Sequence, residues 1–467
     1  MSGEGLRALA GFAAGTDVRA LPPEVVEKAK ACLLYAMAVG VACMRAHQPA
    51  QAARALSGAG AGNATRFFDG EKCDPGVAAF ANGTLFHARV QDDAHSAGHV
   101  GVVVNPAALA MAETQDADGA GLLAALVAGY ETALRIGRDH ATDLSARGFR
   151  TTPTYGVFGA AAAAGRLLRL DQERMTHALS LAANMPGGLR EYSVAGSEDF
   201  AFHAGTAAQN GILAARLAAA GATSTPTALD GNAGFFRAYG EPGRLYAARL
   251  ATDLGKVFEM AGVTFKPYPI CQFHRGIVRG CSVLRERAGA ASLVSLTISM
   301  HPFEADFFGV RFAGPFVTFP QTFMSAPFCA ALAWARGDAT LAGLTDYRAA
   351  DVLALVPAIT IVADPARPRY QPRLEVRLSD AAVLEWEERD GAEGYVLTWD
   401  RSCAMALALA TEVGLVPANV ERLVAAVRGL DKARTLAPML SAMRDACRAA
   451  NLSLSKSHFT TSNDTSV

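Results

Sequence analysis

Residues 293–301 read LVSLTISMH and residues 373–379 read RLEVRLS. In both, apolar and polar side chains alternate, the period of a strand with one buried face. The pattern recurs in PAITIVADP (357–365), VLEWEERD (383–390) and GYVLTW (394–399). Upstream the texture differs: from Pro22 to about residue 254, apolar residues return at threes and fours, which predicts helices throughout. Helical signals interrupt the alternating region at HRGIVRGCSVLRERAG and APFCAALAWARG, so that region reads as α+β. Beyond Asp400 helical periodicity resumes in RSCAMALALATEVGL, VERLVAAVRGL and APMLSAMRDACRAA. The simplest architecture returns these last helices to the first ones. The chain is then mainly α, with a large all-helical domain formed by both chain ends (1–264 and 400–467) and a smaller α+β domain inserted at 265–399.

Local signals mark several helix starts. Pro22 and Pro23 precede EVVEKAKACLLYAMAV, and proline suits a first helical turn because its missing N–H has no helical partner there. Asp171 can cap RMTHALSLAANM, and Asn105 with Pro106 is expected to open AALAMAETQ.

The 467 residues are 51% hydrophobic, enough for roughly two or three cores. Lys and Arg number 43 against 44 Asp and Glu, so no net field draws in nucleic acid or an anionic membrane. The eight cysteines are scattered, Cys271 and Cys281 being the closest pair, and none has the C-x-x-C spacing of zinc or dithiol sites. Reduced thiols are expected. The start, MSGEGLRALAGFAAGTDVRAL, mixes charges into its apolar stretch, unlike a secretory leader. Apolar windows such as 31–43 and 157–164 fall short of the ~20 residues of a membrane helix. A cytoplasmic protein with no membrane partner is expected.

No G-x-S-x-G elbow or Walker lysine loop is present, and the nearest glycine loop, Gly58-x-Gly60-x-x-Asn63, lacks a preceding strand and its third glycine. Hydrolase, ATP and dinucleotide chemistry lose support. What stands out is HARVQDDAHSAGHVG, residues 87–101. His95 and His99 have the i, i+4 spacing of two metal ligands on a helix, with Asp92 or Asp93 as a third. Ser96, Ala97 and Gly98 between them favour a loop instead. A proton-transfer site and a hydrogen-bonded polar turn are therefore preferred to a metal site.

Proton transfer needs partners from other segments. GFRTTPTYG supplies Arg150, Thr151 and Thr152 before an Ala-rich helix whose positive end could hold an anion. DFAFHAG places His203 at a helix start. KPYPICQFHRG places His274 at the head of another helix, beside Lys266, Tyr268, Gln272 and Arg275. That segment is also the predicted domain junction, where small-molecule clefts commonly lie.

In this order the segments resemble the MmgE/PrpD family, which includes 2-methylcitrate dehydratases, cis-aconitate decarboxylases and an iminodisuccinate epimerase. The resemblance runs through most of the chain. It rests on FANGTLFHARVQDD followed by His99 and NPAALAMAE, on GYETALRIG (129–137), on GFRTTPTYGVFGAAAAAGRLLRLDQE, on FHAGTAAQNGILAARLAAAGATS, and on KPYPICQFH. It implies a helical domain made of both chain ends, an α+β lid domain, a homodimer, and chemistry without metal or cofactor at a carbon beside a carboxylate.

The family loop usually reads H-x-x-D-F-D-D, followed by a catalytic His and Pro. Here Val90 stands where the first Asp is expected, Asp92 and Asp93 match the later pair, and His99 is followed by Val100. Phe200 replaces a frequent Lys, Arg150 a frequent His, and Phe328 a frequent Tyr, while His274 matches. The resemblance thus implies His99 and His274 as the acid–base pair, with Asp93 beside them. Asp92, His95, Arg150, Thr151, His203, Lys266, Tyr268 and Gln272 would surround a small carboxylated metabolite. The expected reaction is a dehydration or decarboxylation of a substrate less charged than citrate. Epimerisation by the same two histidines is one alternative; a non-catalytic binding relative is another.

Overall fold

The computed structural model describes residues 3–457. The chain is mainly helical and forms two compact units. One comprises Met1–Gly188, Ala201–Val263 and Leu397–Val467; the other comprises Leu189–Phe200 and Thr264–Val396. The segment Leu189–Phe200, which the alternating pattern did not single out, groups with the second unit.

In the first unit the helix Pro23–Ala42 begins with proline in its first turn, and every residue from Lys28 to Ala42 is buried. A helix covered on all sides carries little amphipathic signal. Buried Lys28 is satisfied by carbonyls: its Nζ donates to Val263 at 2.6 Å and Leu397 at 2.7 Å, tying the returning chain to this helix. The helix Asp171 was expected to cap does start there, with Asp171 Oδ1 accepting from the Arg174 N–H at 2.9 Å.

The helix Gly119–Gly137 has the length and apolar composition of a membrane span, with a mean hydropathy of 1.2, contrary to the expectation that every apolar window is too short. Yet 89% of that stretch is buried inside the protein. It also carries a buried ion pair, Arg135 Nε to Glu131 Oε2 at 3.2 Å, whose members are further held by backbone groups of Met260, Thr252 and Val257. Against it lies the helix Thr151–Leu167. A Cβ added at Gly129 would fall 2.8 Å from the Gly159 carbonyl oxygen, and one at Gly159 would fall 2.8 Å from that of Gly129, so the two backbones touch.

Two local expectations fail in this unit. Asn105 and Pro106 do not start a helix; both lie inside Gly101–Thr114. The Asn105 amide instead donates to the Gly101 carbonyl at 2.8 Å and to Tyr130 Oη at 2.9 Å, so a residue read as a cap is a buried link between helices. Nor is the chain helical throughout from 22 to 254. Ala64–Thr65 pairs antiparallel with Lys72–Cys73, and residues 220–262 are largely turns and short 3₁₀ segments around the helix Phe235–Tyr239.

The second unit contains a four-stranded sheet in the order Ile359–Ala363, Leu293–Met300, Arg373–Leu378, Val383–Glu387. The first two strands are parallel and the remaining pairs antiparallel. Leu296, Ile298, Met300, Leu374 and Val376 are buried, as the alternation requires. The helix Arg275–Ala288 packs so closely that a Cβ at Gly280 would lie 2.3 Å from the Trp386 ring. GYVLTW is not a strand: Glu393–Tyr395 is a 3₁₀ turn, and Val396 bridges Thr264. At this turn the Tyr395 hydroxyl donates to Glu388 Oε2 at 3.2 Å and its ring lies 4.4 Å from the Arg275 guanidinium.

Candidate functional site

The stretch 88–100 is a loop between the helices Pro75–His87 and Gly101–Thr114, as the glycine and small residues within it foretold. His95 and Gly98 close it through a reciprocal backbone pair, His95 N–H to Gly98 at 3.0 Å and Gly98 N–H to His95 at 2.9 Å. This turn separates the two histidines that spacing alone could have made ligands. His95 Nδ1 accepts from the Ala97 N–H at 3.2 Å, and its Nε2 lies 3.9 Å from Glu259 Oε2. Burial pushes the His95 imidazole down to about 4, with Glu259 offsetting part of the effect. Among the described residues, no group of three or more His, Cys, Asp or Glu side chains is arranged to hold a metal ion.

His99 faces the other way. Its Nδ1 lies 2.9 Å from the Asp93 carbonyl oxygen and 3.3 Å from Asp92 Oδ2. A carbonyl only accepts, so Nδ1 carries the proton. The backbone N–H of His99 donates to Thr152 Oγ1 at 3.2 Å, fixing the loop on the first turn of Thr151–Leu167. Thr151 packs beneath Gly98, where a Cβ would fall 2.9 Å from its Oγ1. The His99 side chain is 18% exposed, whereas that of Asp92 is 2% exposed, so the imidazole is the accessible end of the pair.

Asp93 turns inward. Its Oδ2 accepts from Tyr130 Oη at 2.5 Å, and Tyr130 in turn accepts from Asn105. Burial pushes the Asp93 carboxyl up to about 7, while the Tyr130 hydroxyl, Lys28 and the Gly101 N–H pull it down and Asp92 adds to the rise. A Cβ at Gly101 would lie 2.3 Å from both Asp93 Oδ2 and Tyr130 Oη. Glycine is thus required where the helix begins. Asp93 is an anchor whose carbonyl orients His99.

A second chain of contacts reaches Asp92 from behind. His87 Nδ1 donates to Asp92 Oδ1 at 3.0 Å, and His87 Nε2 accepts from Arg150 Nη2. Arg150, at the N-cap of Thr151–Leu167, also donates through Nη1 to His203 Nδ1 at 3.1 Å. The first unit therefore brings together His99, Asp92, Asp93, Arg150, Thr151, Thr152 and His203 of the expected residues, and adds His87, Tyr130 and Asn105. His87 carried a signal, the first position of the histidine-rich stretch. Tyr130 and Asn105 lie in segments that carried the resemblance, but Asn105 was read as a helix cap and nothing marked Tyr130 as part of the site.

Lys266, Tyr268, Gln272 and His274 belong to the second unit. Lys266 and His274 are buried, and Tyr268 and Gln272 are partly buried. Burial, with Asp338 adding to it, pushes the Tyr268 hydroxyl up to about 12. Neither ring nitrogen of His274 reaches hydrogen-bond geometry. Burial pushes this imidazole down to about 3, and the Phe323 backbone offsets only part of that. Phe200 and Phe328, where a cation and a hydroxyl were expected by resemblance, are fully buried in ring clusters: Phe200 is 5.5 Å from Phe323 and Phe328 is 4.7 Å from Phe316. Glu304, not anticipated, is also buried; it accepts from the Tyr370 N–H at 2.8 Å and lies 3.7 Å from Arg369 Nε. Burial pushes its carboxyl up to about 7.

Comparison with known proteins identifies relatives of the chain. The chain is 30% identical over 262 residues to the cis-aconitate decarboxylase-like protein oryM of Aspergillus oryzae, covering 53% of this chain and 54% of that protein. It is 31% identical over 205 residues to the cis-aconitate decarboxylase of Homo sapiens, covering 42% of this chain and 41% of that protein. The matches thus span about half the length of these relatives or less. A sequence model of the MmgE/PrpD N-terminal domain matches residues 7–245, which include the histidine loop, Tyr130, Arg150 and His203. By this match over half its length, the chain belongs to the MmgE/PrpD family.

Proposed function

We propose that this chain is a lyase of the decarboxylase or dehydratase type, acting by proton transfer on a small carboxylated metabolite without a cofactor. The observation that carries the reading is the setting of His99: Nδ1 is committed to the Asp93 carbonyl beside Asp92, while the ring itself is the accessible end of the cluster. Proton exchange with a substrate then runs through Nε2. In a decarboxylation, the carbon–carbon bond to the carboxylate breaks, carbon dioxide leaves, and the electron pair left on carbon takes a proton from Nε2–H. In a dehydration, neutral Nε2 removes the proton beside the carboxylate as hydroxide departs with a proton from an acid.

The similarity to proteins named for cis-aconitate decarboxylation supports the decarboxylase form. With Phe200 and Phe328 buried in ring clusters, the positions of a cation and a hydroxyl contribute neither, which favours a substrate with fewer carboxylates than citrate. Burial disfavours the protonated form of His274, so its ring neither holds a proton to give nor readily takes one up, and the proton-transfer reading rests on His99.

The test incubates the full chain with cis-aconitate and a series of mono- and dicarboxylic analogues in heavy water, following carbon dioxide, water loss and deuterium uptake. His99→Gln is expected to lower turnover by about 10²–10⁴-fold, the usual worth of a general acid–base group. Its melting temperature should stay near that of the parent protein. Turnover surviving in His99→Gln would refute the assignment, and deuterium uptake without bond cleavage would convert the reading to epimerisation.

A further inference from the structure

The contacts behind His99 form one series, hydrogen-bonded from His203 through Arg150 and His87 to Asp92, whose other oxygen meets His99 as an ion-pair contact. An arginine guanidinium has donors only and stays charged. Its contact with His87 Nε2 therefore requires a lone pair on that nitrogen, so the proton of neutral His87 lies on Nδ1. That proton is donated to Asp92 Oδ1 at 3.0 Å, and the other oxygen of the same carboxylate lies 3.3 Å from His99 Nδ1. His87 is fully buried and the Asp92 side chain is 2% exposed, so the geometry is set by protein groups rather than by water. The sequence suggested Arg150 as a clamp for a substrate carboxylate; its guanidinium is instead spanned by two imidazoles.

We propose that Arg150 is a positioning residue that acts through His87: it fixes the His87 tautomer, which aims the Asp92 carboxylate at His99 and holds His99 with its reactive nitrogen outward. Ring orientation and tautomer of a reactive histidine are set by the groups its other nitrogen meets. His99 Nδ1 meets the Asp93 carbonyl and, beside it, the Asp92 carboxylate, and the carboxylate is itself oriented from the start of the Thr151–Leu167 helix, two residues away along the series. A lysine could not reproduce this, because one rotatable ammonium cannot span two imidazoles in a fixed fork.

The direct test is independent of turnover. Nitrogen-15 labelling of the ten histidines of the full chain, with long-range proton–nitrogen spectra assigned by single His→Gln variants, reports which nitrogen of each ring is protonated. His87 is expected to show a protonated Nδ1 and a bare Nε2. Arg150→Met should redistribute the His87 proton and move the His99 nitrogens. A His87 protonated at Nε2 in the parent protein, or His87 and His99 signals unmoved in Arg150→Met, overturns the proposal. Should the methionine variant fail to fold, the parent tautomer decides alone.

The kinetic arm rests on the function proposed above and uses as its probe the acid of that substrate series, cis-aconitate or a mono- or dicarboxylic analogue, that the parent protein turns over fastest. Arg150→Met should lower kcat by about 10–100-fold, as loss of an orienting partner does, with KM little changed. A raised KM at constant kcat would return Arg150 to the role of a carboxylate clamp and overturn the positioning role. Absence of turnover of every acid in that substrate series would defeat the proposed reaction, while the nitrogen spectra would still decide this one.

Discussion

Two imidazoles, one in each unit, live under opposite rules: His99 is partly exposed and His274 is buried. His99 is surrounded by groups that specify its proton: the Asp93 carbonyl, the Asp92 carboxylate, and behind them His87 and Arg150. His274 has burial with no side-chain hydrogen bond among the described residues, the Phe323 backbone offsets only part of that burial, and its ring is driven to the neutral form. The contrast teaches that burial by itself fixes a histidine's charge, whereas only directed partners fix which nitrogen can work.

The largest effect expected from disturbing the first environment is at Gly101. Gly101→Ala puts a methyl 2.3 Å from Asp93 Oδ2 and Tyr130 Oη, neither at the end of a flexible chain. A loss of about 3 kcal/mol or more in unfolding free energy is expected, seen as a lower urea midpoint. A near-normal midpoint would mean that the loop is not locked to the helix start.

The second environment is tested with acid. The folded-state pKa of His274, about 3, lies below the ordinary 6.5, so its contribution is fully present above pH 6.5 and is lost as pH falls toward 3. His274→Phe should therefore change stability little at pH 7 and gain about 2–3 kcal/mol relative to the parent protein at pH 4, read from melting temperatures across that range. A large loss at pH 7 would reveal a partner for the ring and erase the contrast. His95 and His140, each pushed down to about 4 by burial, keep an acid-side loss in both proteins.

The smallest effect concerns Asp93. Its pKa is raised from 3.8 to about 7, so its stabilising contribution is fully present below pH 4 and is lost as pH rises through 7. Asp93→Asn, which still accepts from Tyr130, should gain roughly 1–2 kcal/mol relative to the parent protein at pH 8 and nothing at pH 4. Glu304, also raised to about 7, leaves part of the alkaline loss in place. Equal pH profiles for the two proteins would show that Asp93 is ionised at little expense, and that the wiring of the loop is looser than its distances suggest.

Periodicity made the architecture legible where one face of an element is buried. The strands at Leu293–Met300 and Arg373–Leu378 alternate because water covers one side, and the Asp171 cap lies in its own helix. It failed where side chains answer to distant partners. Asn105 has the chemistry of a cap but spends it on Tyr130, and Tyr395 lies in a turn, against Glu388 and Arg275, rather than in a strand. The candidate site divides the same way. His99 and Asp92 were readable because a short loop holds them together. The Arg150 contact spans 63 positions to His87 and 53 to His203, separations at which residue type and spacing carry no directional information. Tyr130 was hidden for a simpler reason: a lone tyrosine in an apolar helix is ordinarily just packing.

The contact of Gly129 with Gly159 gives that long-range wiring its ruler. Tyr130 follows one of these glycines directly, and Arg150 caps the helix that carries the other, so the crossing works like a machined shim between the Asp93 anchor and the Arg150 series. Thickening it by one methyl on either side would push both attachments apart together, and a lesion far from the histidine loop would then read out as a mistuned imidazole.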